Sequence, residues 1–225
     1  MNELEAIQAR HSVRSYEPRP LGQAGKAALQ ERVAQLNAAS GLHIQLVCDE
    51  PRAFDGFLAH YGKFSGVTNY LALVGRKGAD LDEKCGYYGE QLVLLAQQLG
   101  LNTCWVALTY SKVKGAYEQG PDEKLPIVIA LGYGTTQGTA HKSRPASAVS
   151  TADEEGCAWF EAGVQAALLA PTAMNQQKFT LSKQGSTVSA KAGLGFYAKL
   201  DLGIVKLHFE LGAGTENFTW AQAAA

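Results

Sequence analysis

Apolar and polar residues alternate along this chain with two different periods, which predict helices separated by short strands. Residues 25–39 carry apolar side chains at helical spacing, and Gly41 stands where that helix would end. Residues 43–48 alternate like a half-buried strand, whereas residues 70–74 are almost entirely apolar, as in a strand covered on both faces. The longest helical pattern is residues 81–99. Its inner stripe is expected to consist of Tyr88, Leu92, Leu95 and Leu99.

Two pairs of residues have the spacing of a helix capping box. Asn2 followed by Glu5 predicts the start of a first helix. Thr151 followed by Glu154 predicts the start of a later helix, which must stop before Pro171 because the residue preceding a proline disfavours helical geometry.

The remaining pattern completes a mixed architecture. Residues 101–108 and 127–131 are predicted as further strands, and residues 179–191 resemble a hairpin. Asp201 is expected to cap a final helix. Strands separated by helices, together with one hairpin, predict an α+β fold in which helices cover a central mixed β-sheet, formed by residues 1–225 as one domain.

Composition narrows the class of protein. With 46% hydrophobic and 18% charged residues, a chain of 225 residues is expected to bury a sizeable core. A net charge of −1 disfavours nucleic acid as a partner, because nucleic-acid affinity depends on many basic contacts to phosphate. The longest apolar stretch, residues 92–108, is interrupted by polar side chains and predicts no membrane span.

The termini and cysteines point to a cytoplasmic protein. The N-terminus lacks the apolar segment of a signal peptide, and the four cysteines are far apart with no Cys-x-x-Cys pair. We therefore expect four reduced, mostly buried thiols, no disulfide framework and no metal site.

Two groups of cations are candidate phosphate ligands. The first is the run Arg10-His11-Ser12-Val13-Arg14, in which two guanidinium groups flank a hydroxyl. The alternative is a basic helix C-terminus, where cations offset the negative end of the helix dipole. The second group is Lys142-Ser143-Arg144, which follows a predicted strand and a glycine-containing loop. Its alternative is a solvated loop.

Two further segments could contact a flat ring. Residues 170–177 combine a helix end, a proline, small residues and amides, which can donate to and accept from a pyrimidine-like edge. The alternative is an ordinary polar turn. Residues 100–107 could bring main-chain N–H groups and Trp105 against a ring, or could simply be core.

Side-chain catalysis is not predicted. Cys104 has no base beside it in the sequence, and His208 lies in an apolar helix as core histidines do. No Ser-His-Asp arrangement, P-loop or dinucleotide glycine fingerprint occurs. We therefore name no catalytic side chain.

Taken together, these segments resemble the nitroreductase family of flavoproteins. Residues 7–16 read IQARHSVRSY and are similar to that family's N-terminal signature. Residues 86–90 (GYYGE) and 99–106 (LGLNTCWV) are similar to its long central helix and following strand. Residues 131–133 (LGY) with the later basic pair, and residues 170–177 (APTAMNQQ), match its remaining motifs.

The resemblance implies a function. It implies a homodimeric, FMN-dependent oxidoreductase that takes hydride from NAD(P)H and reduces a small electron acceptor, nitroaromatic or quinone, in a second step. In the family, basic residues and a serine bind the FMN phosphate, and main-chain groups after the strand face the flavin N5. The residues expected to bind the cofactor are Arg10, His11, Ser12, Arg14, Asn69, Cys104, Trp105, Val106, Ala107, Leu108, Lys142, Arg144, Pro171, Thr172, Ala173, Asn175 and Gln177.

Two departures from the family pattern leave alternatives open. The family's Ala-Pro-Ser-Ala-x-Asn-x-Gln-Pro-Trp motif usually follows the second helix, but residues 38–43 read AASGLH and the motif stands at residues 170–177. This indicates a rearranged branch, whose flavin site is completed by this subunit or by its neighbour. Lys178-Phe179 replaces the usual Pro-Trp. Alternatives are a flavin-binding or storage protein without turnover, an FMN-dependent dehalogenase or desaturase, and a scaffold that has lost flavin.

Overall fold

The computed structural model describes residues 1–222, which fold into six α-helices and two four-stranded β-sheets. The helices are α1 (Glu3–Ala9), α2 (Gln23–Ser40), α3 (Phe57–Tyr61), α4 (Leu81–Gln98), α5 (Ala158–Ala167) and α6 (Ala198–Ala213). The strands are β1 (His43–Val47), β2 (Asn69–Arg76), β3 (Asn102–Val106), β4 (Glu123–Gly132), β5 (Ser150–Ala152), β6 (Phe179–Gln184), β7 (Thr187–Ala192) and β8 (Thr219–Trp220). The α+β prediction is confirmed.

The two sheets differ in how their strands run. The first has the order β1-β2-β4-β3 and every neighbouring pair is antiparallel. The second has the order β5-β6-β7-β8, in which the central hairpin is antiparallel and both outer pairs are parallel. The sequence predicted one central mixed sheet; the strands instead divide between two.

Several local predictions are confirmed. Asn2 Oδ1 accepts a hydrogen bond from the Glu5 amide at 2.8 Å, and the Glu5 carboxylate accepts one from the Asn2 amide at 2.9 Å, which completes the capping box. Gly41 ends α2 in the left-handed conformation, with φ of 71°.

The second predicted capping box is wrong. Thr151 lies in β5, where its hydroxyl donates to Ser182 Oγ at 3.0 Å, and α5 begins only at Ala158. Pairing with β6 removes the threonine from the helix start, and this pairing is not encoded in the local sequence. Asp201 was also predicted as a cap, but α6 begins at Ala198, with Tyr197 as its N-cap residue.

The buried face of α4 differs from the predicted stripe. Leu92 is buried, but Leu99 is 36% exposed, whereas Gly86, Gly89 and Glu90 are buried. The helix packs against the first sheet and also against α6, so its contacts extend around more of its circumference than one stripe.

One hydrophobic core extends over both sheets. It includes Leu71 and Leu131 from the first sheet together with Leu181 and Val188 from the second, each fully buried. Within residues 1–222, no helix is both long enough and apolar enough to cross a membrane. The four cysteines carry free thiols.

Candidate functional site

The N-terminal cations lie along the edge of the first sheet. The chain leaves α1 in an extended conformation at Arg10, whose φ and ψ are −74° and 130°. Ser12 then forms a parallel bridge with Thr103, and the Val13 amide donates to the Thr103 carbonyl oxygen at 3.0 Å. This segment therefore runs beside β3, which brings the first and fourth sequence clusters together.

Arg10 is a buried cation without a full set of partners. Its side chain is 5% exposed, and its Nη1 donates to the Leu169 carbonyl oxygen at 3.4 Å. Its Nε is buried and makes no hydrogen bond, and no carboxylate of residues 1–222 forms an ion pair with it. Since buried donors in proteins almost always have partners, this geometry fits an acceptor from outside the chain.

The neighbours of Arg10 make this region electropositive. Burial lowers the pKa of His11, and the positive charge of Arg10 and nearby His141 lower it further, which keeps the imidazole neutral. Arg14 is exposed, and its guanidinium carbon lies 5.9 Å from the Phe64 ring centroid.

Cys104 sits under these cations as a buried thiol. Burial raises its pKa, although Arg14, a hydrogen bond with Ser12 and Arg10 act in the opposite direction. A thiol whose pKa is raised is a poor nucleophile, which agrees with the prediction of no catalytic cysteine.

The basic turn, residues 141–144, is fixed to the C-terminal end of α5. His141 Nε2 lies 3.0 Å from the Leu168 carbonyl oxygen, and Ser143 Oγ donates to the same oxygen at 3.1 Å. The Lys142 and Arg144 side chains are exposed. The turn is thus held through its histidine and serine, while both cations remain at the surface.

The polar turn, residues 170–177, packs directly on the basic turn. The Arg144 amide donates to Gln177 Oε1 at 2.8 Å, and the Arg144 guanidinium donates to the Gln177 carbonyl oxygen at 3.3 Å. Asn175 and Gln177 both donate from their side-chain amides to the Lys142 carbonyl oxygen, at 2.9 and 2.8 Å. The second and third sequence clusters are therefore joined.

These bonds assign Gln177 to holding the turn. It is 1% exposed, and its amide also donates to Asn175 Oδ1 at 2.7 Å, while its main-chain N–H donates to Thr172 Oγ1 at 3.0 Å. Its side chain faces protein on all sides, so the expected direct contact with a flavin ring is not what its position provides. Pro171 and Ala173 are half-buried, and Asn175 is exposed.

The polar turn has an unusual backbone. Met174, Asn175 and Gln177 adopt positive φ angles of 52°, 53° and 44°, which non-glycine residues rarely do. Three such residues within four positions cost on the order of 1–3 kcal/mol each, and such strain is typical of ligand-binding segments.

Sequence reasoning missed the residue that holds this strained turn. Asp201 is 4% exposed, and its carboxylate accepts from the Ala173 amide at 3.0 Å and from Gln176 Nε2 at 2.8 Å. Burial raises its pKa to about 6, against the opposing effect of these hydrogen bonds. The signal in the sequence was the carboxylate of Asp201 between two leucines of α6. The sequence interpretation assigned this carboxylate to capping.

The end of β3 is more core than surface. Trp105 donates from Nε1 to Glu90 Oε2 at 2.9 Å, and Val106 is buried, so for these two side chains the core interpretation holds. Ala107 is half-buried and Leu108 is 72% exposed. Main-chain groups become accessible only where β3 ends.

Asn69 lies in the same row of the sheet but does not reach the cations. It pairs with Leu131, which pairs with Thr103, so two strand spacings, roughly 10 Å, separate its backbone from β3. Its amide is 2% exposed, accepts from the Asp49 amide and donates to Thr68.

The groove at the start of α5 has the wrong charge for an anion. A groove of about 800 Å³ at the start of α5 is lined by Glu154, Glu155 and Glu161, whose charge disfavours phosphate. Residues 1–222 contain no cluster of histidine, cysteine and carboxylate side chains able to hold a metal ion.

Comparisons with solved structures place this fold among nitroreductases. A putative nitroreductase from Thermotoga maritima is 25% identical, with a TM-score of 0.68, over 94% of this chain and 83% of that one. A putative nitroreductase in complex with FMN from Desulfovibrio desulfuricans is 16% identical, with a TM-score of 0.52, over 66% of this chain and 95% of that one. A nitroreductase from B. subtilis is 11% identical, with a TM-score of 0.53, over 65% and 72%.

No curated protein matches the sequence. The family model described as "Putative TM nitroreductase" matches residues 2–213, nearly the whole chain. This confirms the predicted resemblance and the predicted enzyme class, an oxidoreductase of the nitroreductase type. The chain belongs to the putative TM nitroreductase family.

Proposed function

We propose that this protein is an FMN-dependent oxidoreductase that uses NAD(P)H to reduce a small electron-poor acceptor such as a nitroaromatic or a quinone. The observation that carries the proposal is the buried guanidinium of Arg10, whose Nε has no partner where three polar segments meet. Family membership supports the reaction class. The FMN in the Desulfovibrio complex agrees with the cofactor assignment.

The residues present fit the phosphate of FMN. A phosphate dianion requires charged or strong donors, and Arg10, Ser12, Lys142 and Arg144 would supply them. None of the three cations forms an ion pair with a carboxylate of residues 1–222, so their charge is available to a ligand. Arg14 and His11 would add donors at the rim of the site.

The other residues would orient a ring. The small residues Pro171, Thr172 and Ala173 allow close approach of the polar turn, and Asn175 adds an exposed amide. Main-chain N–H groups at Ala107 and Leu108 would face the reactive edge of the ring from the end of β3.

The protein's own contribution is binding and orientation. When bound, FMN supplies reversible two-electron chemistry between a nicotinamide donor and an acceptor. We assign no side chain as general acid or base: Cys104 is a buried thiol whose pKa is raised by burial. The cations would bind the phosphate, and the polar turn would orient the ring.

Two further features belong to the proposal. The free thiols agree with a reducing, cytoplasmic location. A homodimer is the assembly that the family resemblance implies, and light scattering of the purified protein measures it directly.

An absorbance spectrum of the purified protein, loaded with FMN, tests the proposal. We expect a yellow protein that is bleached by anaerobic addition of NADH or NADPH and regains its colour when a nitroaromatic or quinone is added. A yellow protein that neither nucleotide bleaches would indicate a flavin-storing protein instead. A protein that stays colourless after incubation with FMN would contradict the cofactor assignment.

A further inference from the structure

Helices α4 and α6 cross at two glycines whose contacts are reciprocal. A Cβ atom on Gly86 would lie 2.0 Å from the Leu200 carbonyl oxygen and 3.1 Å from the Ile204 amide nitrogen. A Cβ atom on Gly203 would lie 2.0 Å from the Glu83 carbonyl oxygen and 2.6 Å from the Tyr87 amide nitrogen.

The two glycines make equivalent contacts, each with the helix that carries the other. Each glycine meets the residue three positions before, and the residue one position after, the glycine of the other helix. Such an exchange, in which one position contacts another and is contacted in return, defines an interface with two-fold symmetry. Gly86 and Gly203 therefore mark a local two-fold axis between α4 and α6.

The same order of elements surrounds each glycine. The first unit consists of α2, β1, β2 and α4, with the short helix α3 inserted between its strands, and the second unit of α5, β6, β7 and α6. In each unit a helix leads into two neighbouring antiparallel strands, and a second helix follows. Gly86 and Gly203 thus lie in the closing helices of two helix–strand–strand–helix units.

The two units differ where they would bind a ligand. In the first unit, Gly41 and Leu42 alone connect the leading helix to its strand. In the second unit, residues 168–178 make this connection and contain the polar turn. The cations, in contrast to the polar turn, flank the first unit. Arg10 precedes this unit, and residues 142–144 follow the sheet that contains its strands.

The fold of a single chain is sufficient to bring the cationic segments to residues 168–177. Arg10 bonds the Leu169 carbonyl, Ser143 bonds the Leu168 carbonyl, and Arg144 bonds Gln177. The position related to this site by the two-fold axis lacks both the polar turn and the cations. Residues 41–42, which correspond to the polar turn, are too short to form one. Within residues 1–222, α6 is followed only by a short turn and β8, which contain no basic segment.

We propose that one chain holds two units equivalent to the two halves of a symmetric dimer, and that it forms a single flavin site in cis. The first unit's cations and the second unit's polar turn build this site, and the symmetry-related site has been lost. The proposal rests on the proposed FMN function and predicts one FMN per chain, with no residue contributed by another chain.

The size of the related folds agrees with this division. The fold of the Desulfovibrio subunit is covered almost completely by two-thirds of this chain. One-third of this chain therefore lies outside the fold of one such subunit, as a second, shortened unit would.

Flavin stoichiometry is the first test. Protein saturated with FMN, freed of excess ligand and then denatured, is assayed for released FMN against chain concentration. We expect a ratio of one. A ratio of two would show that both symmetry-related sites bind and would overturn the proposal. A symmetric dimer with two sites shared between its chains also gives a ratio of one, so the cis arrangement needs a test of its own. No bound flavin at all would instead contradict the proposed function.

Co-expression of two variants with different affinity tags tests whether the site is formed in cis. Arg10→Ala removes the first unit's contribution, and Asn175→Ala with Thr172→Ala weakens the second unit's. In a cis site, the co-expressed pair binds no more FMN than the two variants purified separately. Recovery of FMN binding in the pair would show a site formed between chains and overturn the proposal. If a variant fails to fold, FMN titrations of the unaltered protein at several chain concentrations replace this test. A cis site gives the same Kd at all concentrations, whereas a Kd that rises on dilution shows a site formed between chains and overturns the proposal.

Discussion

The Arg10 guanidinium and the Leu169 carbonyl oxygen lie 3.4 Å apart, although 159 positions separate the two residues in the chain. This contact joins the N-terminal cations to the start of the polar turn. It leaves the Nε of Arg10 buried without a partner. A buried donor that makes no hydrogen bond costs about 1–3 kcal/mol, so Arg10 is expected to be unfavourable for folding until a ligand binds.

Replacing Arg10 should therefore maintain or raise the free energy of unfolding of the FMN-free protein and lower that of the FMN-bound protein. We expect Arg10→Met, which keeps an apolar stem, to unfold in urea with a free energy equal to or above that of the original protein when FMN has been removed. With saturating FMN the order should reverse, because a ligand stabilises only the protein that binds it. Arg76→Met, an exposed arginine at the end of β2, is the matched control, with an expected change within about 0.5 kcal/mol. A clear loss of stability in FMN-free Arg10→Met would contradict this account.

The crossing of α4 and α6 gives a prediction about glycine. Gly86→Ala and Gly203→Ala should each lower the free energy of unfolding by about 1–3 kcal/mol or more, and by similar amounts, since each new methyl group would overlap a main-chain oxygen 2.0 Å away. Gly25→Ala in α2 meets no atom within 4 Å and should raise stability by about 0.5–1 kcal/mol. Urea unfolding curves of the three variants measure this. A tolerated alanine at either crossing position would show that the helices are not in this close contact.

Patterns among neighbouring residues predicted the helices and strands. The capping prediction at Thr151 is wrong because of pairing with residues that are distant in the sequence. The capping box at Asn2, the helix end at Gly41 and the hairpin of β6 and β7 depend on neighbouring residues, and all three are confirmed. Thr151 has an equally good local signature, but its pairing with β6 overrides that signature.

The candidate site could likewise be predicted by residue type but not by its contacts between distant parts of the chain. Its cations and amides were recognisable by residue type, and the basic turn and polar turn do meet. That Asp201 would hold the polar turn could not be predicted from local pattern. One partner, Ala173, contributes only a main-chain N–H, and the other, Gln176, lies 25 positions away in the chain. The two-fold relation could not be predicted from the sequence either, because it depends on the contacts that Gly86 and Gly203 make between helices.

Asp201 should make stability depend on pH. Its pKa in the folded protein is about 6, above its ordinary value of 3.8, so the folded state binds the proton more tightly than the unfolded chain does. The free energy of unfolding should therefore fall as the pH rises from about 4 to about 6, by up to about 3 kcal/mol, and this contribution should be constant at higher pH.

Asp201→Asn removes this titration. Relative to the original protein, the variant should gain stability between pH 4 and pH 7, whatever offset it shows from the lost acceptor for Gln176. Urea unfolding at several pH values measures the difference. Parallel pH profiles for the two proteins would show that Asp201 has an ordinary pKa.

Glu90 links two buried donors. Its carboxylate accepts from Trp105 Nε1 at 2.9 Å and lies 3.0 Å from His208 Nε2, and neither Glu90 nor His208 is exposed. Glu90→Ala should cost about 3–5 kcal/mol, because it removes the partner of the buried His208 Nε2 and of the Trp105 indole N–H. His208 Nδ1 keeps the Ala166 carbonyl oxygen. Glu90→Gln keeps an acceptor and should cost less.

Tryptophan fluorescence during urea unfolding follows this change directly, since Trp105 reports on its own partner. Glu161→Ala, at an exposed position of α5, provides the control and should alter stability by less than about 0.5 kcal/mol. Equal stabilities of Glu90→Ala and the control would mean that the buried linkage contributes nothing.

The most direct test of the central claim is titration of FMN-free protein with FMN, followed by quenching of flavin fluorescence. We expect the protein to bind FMN and Arg10→Met to raise the Kd roughly 10- to 100-fold, as expected for losing about 1.5–3 kcal/mol of charged hydrogen bonding, while Arg76→Met leaves the Kd unchanged. Equal affinity of Arg10→Met and the original protein for FMN would contradict that claim.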